Sequence, residues 1–299
     1  MNSGIIIKAL SGFYYVDIGD SVIECHARGL FRKKNMSPLV GDRVEIEISP
    51  DGTGTVKSIL PRKNELKRPP IANIDKIFIV SAYETPAPNT LVIDSMTAIA
   101  EDKEIEPVII FNKSDMGSFD GIADVYRKCG FKVYVVSAAT GEGVEEIKSE
   151  FSGCVSVFAG NTGVGKSSLL NRLFDSLELK TGEVSEKLGR GRHTTRHVQL
   201  FSAGEGGFVA DTPGFSSIDV EESDLIYKEN LQFAFREFAD YIGQCKFTSC
   251  THTGEKGCAV LAAFCDGKIA ESRYESYKHL YSELSKYKEW EIKGNLNKK

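Results

Sequence analysis

The sequence predicts a multidomain protein in three parts: an N-terminal all-β barrel of the OB-fold type, a central α/β domain, and a mostly helical C-terminal part with a metal cluster. Three observations predict this. Residues 1–70 hold short β-type runs broken by turn residues. From residue 71 to about 222, near-continuously apolar strands alternate with helical stretches, the pattern of a parallel sheet covered on both faces. Four of the seven cysteines fall between Cys245 and Cys265. A length of 299 residues leaves room for such a division, at about 100–200 residues per domain.

In the first part the expected strands are Ile5–Lys8, Phe13–Ile18, Ser21–Ala27, Asp42–Ser49 and Gly52–Ile59. Gly19-Asp20 and Pro50-Asp51-Gly52 are hairpin signals. Five short strands in this length suggest a small closed barrel. Pro61 to Pro70 is read as a linker, because its prolines interrupt regular structure.

In the second part, Ile74–Val80 is a strand, followed by a helix over Thr90–Glu101. The strand Val108–Phe111 leads to a helix over Ile122–Lys128, and Lys132–Val136 to a short helix over Val144–Phe151. The strand Val155–Ala159 leads to a helix over Lys166–Phe174, and two further strands follow at Val198–Phe201 and Phe208–Ala210. The third part, residues 223–299, turns helical near Leu231, becomes Cys-rich, and ends in a polar helix, Arg273–Trp290.

Net charge is −5, which by itself points away from nucleic acid. The average hides a gradient: residues 1–70 carry 11 Lys and Arg against 8 Asp and Glu, and the remainder carries 26 against 34. Arg28-Gly29-Leu30-Phe31-Arg32-Lys33-Lys34 puts four cations and an aromatic in one loop of the barrel, a pattern suited to RNA phosphates and bases. Arg62-Lys63 to Lys67-Arg68 either tracks phosphates or keeps a linker soluble. No apolar run reaches the roughly 18 residues of a membrane span, and the N-terminus does not read as a secretory signal. The expectation is a cytoplasmic protein, a monomer, with no membrane partner. The odd, uneven cysteines argue against a disulfide framework.

The chemistry begins at Gly160-Asn161-Thr162-Gly163-Val164-Gly165-Lys166-Ser167, a G-x-x-x-x-G-K-[ST] phosphate loop between a strand and a helix, with Ser168 following. Its N–H groups and the helix N-terminus would cradle phosphates. Lys166 would reach the β- and γ-phosphates, and Ser167 would ligate Mg²⁺.

Asn112-Lys113-Ser114-Asp115, directly after the strand Val108–Phe111, selects the base. The Asp115 carboxylate can accept from both N1–H and the 2-amino group of guanine. Adenine has neither donor and would leave the carboxylate unpaired. The Lys113 stem can pack over the base, and Ser137-Ala138 would offer a backbone N–H to guanine O6. GTP and GDP are therefore the expected ligands.

Asp211-Thr212-Pro213-Gly214 is a D-x-x-G that ends a strand: Asp211 suits the Mg²⁺ shell, and the Gly214 N–H can sense the γ-phosphate. Gly189–Arg196 suits a loop that orders on γ-phosphate and Mg²⁺, with Thr194 or Thr195 as the second hydroxyl ligand. Ras-like proteins place a water-orienting glutamine just after D-x-x-G. Here Phe215 stands there, and His193 is the nearest candidate to position the water, with Lys166 and Thr195 as its catalytic companions.

Cys245-x4-Cys250-x-His252-x5-Cys258 is a closed Cys₃His set suited to one tetrahedral structural Zn²⁺, with Cys265 as a spare.

The motif order is Asn112–Asp115, Ser137-Ala138, Gly160–Ser167, Gly189–Arg196, Asp211–Gly214: a circularly permuted P-loop GTPase domain. This order, the barrel segment Val40-Gly41-Asp42-Arg43-Val44 and the Cys/His cluster together resemble the RsgA (YjeQ) family of ribosome small-subunit-dependent GTPases, over essentially the whole chain. The resemblance implies an OB-fold RNA-binding domain over residues 1–70, the GTPase domain over 71–222 and a zinc domain over 223–299. It implies GTP hydrolysis stimulated by the small (30S) subunit and its rRNA during late maturation. It matches the family's proposed catalytic histidine to His193 and its zinc ligands to Cys245, Cys250, His252 and Cys258. Two other readings stand beside it: a nucleotide-gated rRNA-binding scaffold with little hydrolysis, and a permuted GTPase of large-subunit assembly.

Overall fold

The computed structural model describes residues 2–27, 31, 37–67, 69–174, 198–211 and 226–287. In chain order its strands are β1 (Asn2–Leu10), β2 (Phe13–Asp17), β3 (Val22–Ala27), β4 (Arg43–Ile48), β5 (Gly54–Ile59), β6 (Glu65–Lys67), β7 (Pro70–Ala72) and β8 (Lys76–Ala82). Then follow β9 (Glu106–Asn112), β10 (Lys132–Val135), β11 (Val155–Ala159), β12 (Gln199–Gly204) and β13 (Gly207–Asp211). The α-helices are α1 (Thr90–Asp102), α2 (Asp120–Lys128), α3 (Val144–Ile147), α4 (Lys166–Leu173), α5 (Ala259–Cys265) and α6 (Glu271–Leu284). The chain divides into two compact units. One comprises Met1–Ile77, Val144–Phe158 and Ser167–Phe215; the other comprises Phe78–Gly143, Ala159–Lys166 and Ser216–Lys299.

In the first unit the five N-terminal strands run β1-β2-β3-β5-β4, and β4 pairs back with β1, so the barrel is closed. Only the β3–β5 pair is parallel. Alternate residues point inward, and Ile6, Val16, Cys25, Val44, Ile46 and Val56 are fully buried. Closure removes the edges that five short strands would otherwise expose.

The stretch read as a linker is structured. β6 and β7 form an antiparallel pair, Glu65 opposite Ala72. Pro70 opens its strand, where a missing N–H costs no ladder bond. Two asparagines hold the ends: Asn64 exchanges both bonds with the Ile74 backbone, and Asn73 accepts from the Lys63 N–H while donating to the Gly41 carbonyl. The basic residues here are partly structural. Asp42, fully buried, takes a two-pronged grip from Arg62 at 2.7 and 2.8 Å, and Lys63 pairs with Asp75.

The same unit departs from an all-parallel sheet. β11 and β13 are parallel, but β12 and β13 form an antiparallel hairpin, and Gln199 of β12 lies opposite Lys8 of β1. The turn between β12 and β13 is Glu205-Gly206, both with positive φ (48° and 71°). A two-residue connection can join only antiparallel strands, and such a twist suits positive φ at both residues.

In the second unit the strand order is β10-β9-β8, with β9 and β10 parallel. Phe78, Ile79, Val80 and the run Val108–Phe111 are all buried, as a sheet covered on both faces requires. Asn89 caps α1 by accepting from the Val92 N–H. The expected polar helix Arg273–Trp290 corresponds to α6, which starts at Glu271 and ends at Leu284, while residues 288–290 lie outside the described residues. Its inward face is not polar alone. Tyr274, Tyr277, Leu280 and Leu284 are buried, and so is Arg273, at 0 % exposure. The Arg273 guanidinium donates to Asp94 of α1 (2.7 Å) and to Glu237 (2.7 and 3.2 Å), and lies 4.4 Å over the Phe235 ring. Burial works against the charge, but the two carboxylates hold its pKa above the usual arginine value.

Candidate functional site: the nucleotide loops and the cysteine cluster

The phosphate loop follows β11 and opens α4. Gly160 and Gly165 have φ of 138° and 91°, a region side chains rarely adopt. Space forbids a side chain too: a Cβ on Gly160 would lie 2.1 Å from the Val80 carbonyl oxygen, and one on Gly165 2.3 Å from Asn112 Nδ2. Lys166 folds back over the loop, donating to the carbonyls of Gly160 and of Asn161 (2.9 Å). Burial pulls its pKa down to about 8, so the ammonium is a poorly solvated charge that an anionic phosphate would stabilise. Thr162 and Gly163 are exposed on the loop, Val164 is buried beneath it, and Ser167 and Ser168 lie in the first turn of α4.

Asn112 ties three loops together. It is buried at the end of β9, donates from Nδ2 to the Val164 carbonyl (2.8 Å), and accepts at Oδ1 from the Ala138 N–H (2.9 Å). Of the two N–H groups expected to offer a donor to guanine O6, that of Ala138 goes to Asn112 and that of Ser137 to the Glu142 carbonyl (3.0 Å). Ser137 Oγ donates to Asp115 Oδ1 and accepts from the Thr140 N–H. Asp115 is exposed, and Lys113, with φ of 67°, places Nζ on the carbonyls of Glu84 (3.1 Å) and Thr85 (3.4 Å). A shallow cleft beside the phosphate loop is walled by Val80, Pro86, Asn89, Gly160, Asn161 and Val164.

Asp211 is the last residue of β13; its side chain lies outside the described residues, as do His193, Thr194, Thr195, Gly214 and Phe215. The same holds for Arg28–Leu30 and Arg32–Lys34 of the basic barrel loop.

Cys245, Cys250, His252 and Cys258 bring their ligand atoms within 4.8 Å of one another. Sγ of Cys245 is 3.5 Å from His252 Nδ1 and 4.0 Å from Cys258 Sγ, and His252 Nδ1 is 3.4 Å from Cys258 Sγ. A tetrahedral ion with metal–sulfur bonds of about 2.3 Å has edges of about 3.8 Å, so the donor set fits Zn²⁺. Cys265, at the exposed end of α5, is outside the group. Several supporting residues were not legible in the spacing. His252 Nε2 meets Gln232 Oε1 at 3.0 Å, which leaves Nδ1 as the lone-pair face toward the cluster. The N–H groups of Ala259 and Leu261 point at the sulfurs of Cys245 and Cys258, both at 3.3 Å. Glu255 accepts from the backbone of Thr251, Thr253 and Gly254, and Tyr274 and Tyr277 bind the carbonyls of His252 and Thr251.

The RsgA GTPase family model matches residues 59–221, and the RsgA N-terminal domain matches residues 3–56. A small ribosomal subunit biogenesis GTPase RsgA of Caldanaerobacter subterraneus is 47 % identical, over 94 % of this chain and 95 % of the relative. One of Bacillus cereus is 44 % identical, over 96 % and 99 %. The crystal structure of YjeQ from Thermotoga maritima superposes with a TM-score of 0.82 at 37 % identity, covering 96 % of this chain and 99 % of that one. YloQ, a circularly permuted GTPase, gives 0.81 at 36 % identity, covering 96 % of each chain. Loop order, barrel topology and likeness along nearly the full length agree: the chain belongs to the RsgA GTPase family.

Proposed function

We propose that this protein hydrolyses GTP to GDP and phosphate while bound to the small ribosomal subunit, during assembly of that subunit, and that the subunit stimulates the reaction. The observation that carries the reading is Asn112, which locks the guanine loop, the phosphate loop and the Ser137-Ala138 loop into one site. The small subunit as partner comes from the names of relatives that share 44–47 % of their residues with it.

In this reading Asp115 reads guanine, the loop N–H groups and Lys166 hold the phosphates, and Ser167, Asp211 and Thr194 or Thr195 hold Mg²⁺. The ion would neutralise charge developing between the β- and γ-phosphates. His193 positions the attacking water, a task Phe215 has no polar group to perform. The barrel over residues 1–70 binds rRNA through Arg28–Lys34, residues 71–222 form the GTPase domain, and residues 223–299 are held by one structural Zn²⁺. The protein works as a monomer in the cytoplasm.

The test is multiple-turnover GTP hydrolysis by the purified protein, alone and with purified small or large subunits. Stimulation by the small subunit alone is expected. Equal rates under all three conditions would overturn the partner, and stimulation by the large subunit alone would reassign it.

A further inference from the structure

The segment Tyr83-Glu84-Thr85, directly after β8, belongs to none of the nucleotide motifs, yet it touches two of them. Its contacts with the guanine loop are four. The Tyr83 N–H donates to the Asn112 carbonyl (3.3 Å). The Glu84 and Thr85 carbonyls receive Lys113 Nζ. The Tyr83 ring lies flat on Gly117, so that a Cβ there would fall 2.1 Å from its Cζ. The same ring meets Phe119 edge-on at 5.6 Å, and Phe119 stacks on Phe111 at 5.0 Å. Toward the phosphate loop, a Cβ on Gly163 would lie 3.1 Å from the Thr85 carbonyl.

The loop Asn112–Ser118 is thus pinned at its base by the Phe111–Phe119 stack and along its side by Tyr83. Two of the touching residues, Thr85 (φ 52°) and Lys113 (φ 67°), are non-glycine residues in the left-handed region. Such residues persist only where their surroundings over-determine them, and they gather where a ligand must be held. Gly117 has an extended backbone, φ 166° and ψ 176°, that any residue could adopt. What makes it a glycine is the ring against it.

We propose that Tyr83 is a positioning residue for guanine specificity: its ring on Gly117 sets the height of the Asn112–Asp115 loop, and with it the reach of the Asp115 carboxylate toward the base. Tyr83 acts through packing and need not touch the nucleotide. The proposal rests on Asp115 as the guanine reader. Specificity built on a carboxylate that must meet two donors at once tolerates little displacement, since a shift of about 1 Å removes a hydrogen bond.

The experiment compares GTP with ITP, whose base lacks the 2-amino group, by fluorescent-nucleotide titration of the full-length protein. Tyr83→Ala should lower GTP affinity about tenfold and ITP affinity much less, so the GTP/ITP ratio narrows. Tyr83→Phe keeps the ring and should match wild type. Gly117→Ala should narrow the ratio as well, because its methyl collides with the ring, and adding Tyr83→Ala to it should restore GTP affinity above that of Gly117→Ala alone. A ring that only stabilises the fold would lower both affinities together, or the melting temperature alone, with the ratio at the wild-type value. That result in both Tyr83→Ala and Gly117→Ala overturns the proposal. Asp115→Asn separates the two levels. If it leaves the ratio unchanged, Asp115 does not read guanine and both readings fall. If it collapses the ratio while Tyr83→Ala does not, only the role of Tyr83 falls.

Discussion

Arg273→Ala removes a cation from the most heavily buried ionic cluster among the described residues, and its cost can be worked from the contacts. Asp94, itself at 0 % exposure, would keep only the Tyr126 hydroxyl on Oδ1 (2.8 Å), because Oδ2 has no partner even with the arginine present. Glu237 would lose both of its bonds to the guanidinium. Breaking a buried pair by deleting one partner costs about 3–5 kcal/mol. The expected loss at pH 7 is therefore about 4 kcal/mol. Urea unfolding followed by circular dichroism, wild type against variant, measures it. Removing both charges in Asp94→Ala/Arg273→Ala should cost clearly less than the two single losses added together. A loss below 1 kcal/mol at pH 7, or strict additivity of the pair, would refute the argument that the ion pair ties α6 to α1.

The other expectations follow from the site. Lys166→Ala removes the phosphate-loop cation and should cut hydrolysis by about 10²–10³ or more; activity within tenfold of wild type would rule the role out. Cys245→Ser should release zinc, read by elemental analysis as a fall from one ion per chain, while GTP binding survives; a wild-type protein purified without chelators that carries none would sink the zinc assignment. His193→Ala should leave nucleotide and small-subunit binding nearly unchanged and abolish most of the stimulated rate; full stimulation in the variant would pass the water to another group.

Motifs that act through backbone and spacing were legible in the sequence, and contacts between distant segments were not. The phosphate loop follows from its glycines, and the cysteine cluster from the spacing of Cys245, Cys250, His252 and Cys258, because each is local. The barrel follows from turn residues recurring between short apolar runs. The sequence places Arg273 at the start of a polar helix, since nothing nearby reports Asp94, 179 residues away. A weak signal was present: Arg273, Tyr277, Leu280 and Leu284 share one helical stripe with the buried face of α6. The sequence places Arg62 in a basic stretch that tracks phosphates or keeps a linker soluble, for the same reason: its partner Asp42 lies 20 residues upstream. The β12–β13 hairpin was missed although Gly204-Glu205-Gly206-Gly207 announces a tight turn, because two apolar runs after a phosphate loop suggest more parallel sheet.

The permuted order matters less to the site than to what the chain does after leaving it. Each nucleotide motif follows the carboxyl end of a strand: the guanine loop after β9, Ser137-Ala138 after β10, the phosphate loop after β11 and Asp211 at the end of β13. Ligands of open α/β sheets gather at such ends whichever strand comes first. The end of β8 carries no nucleotide motif, and it supplies Tyr83–Thr85 instead, against the guanine loop. Permutation changes the covalent continuations of these loops. After Asp211 the chain proceeds to the C-terminal segment, which returns to α1 through Arg273 on Asp94 and through Arg236 on Glu101 and Glu106, at 2.6 and 3.1 Å. Glu106 opens β9, the strand that ends in Asn112. Arg236 thus joins the C-terminal segment to the strand that ends in Asn112, and Arg273 joins it to α1.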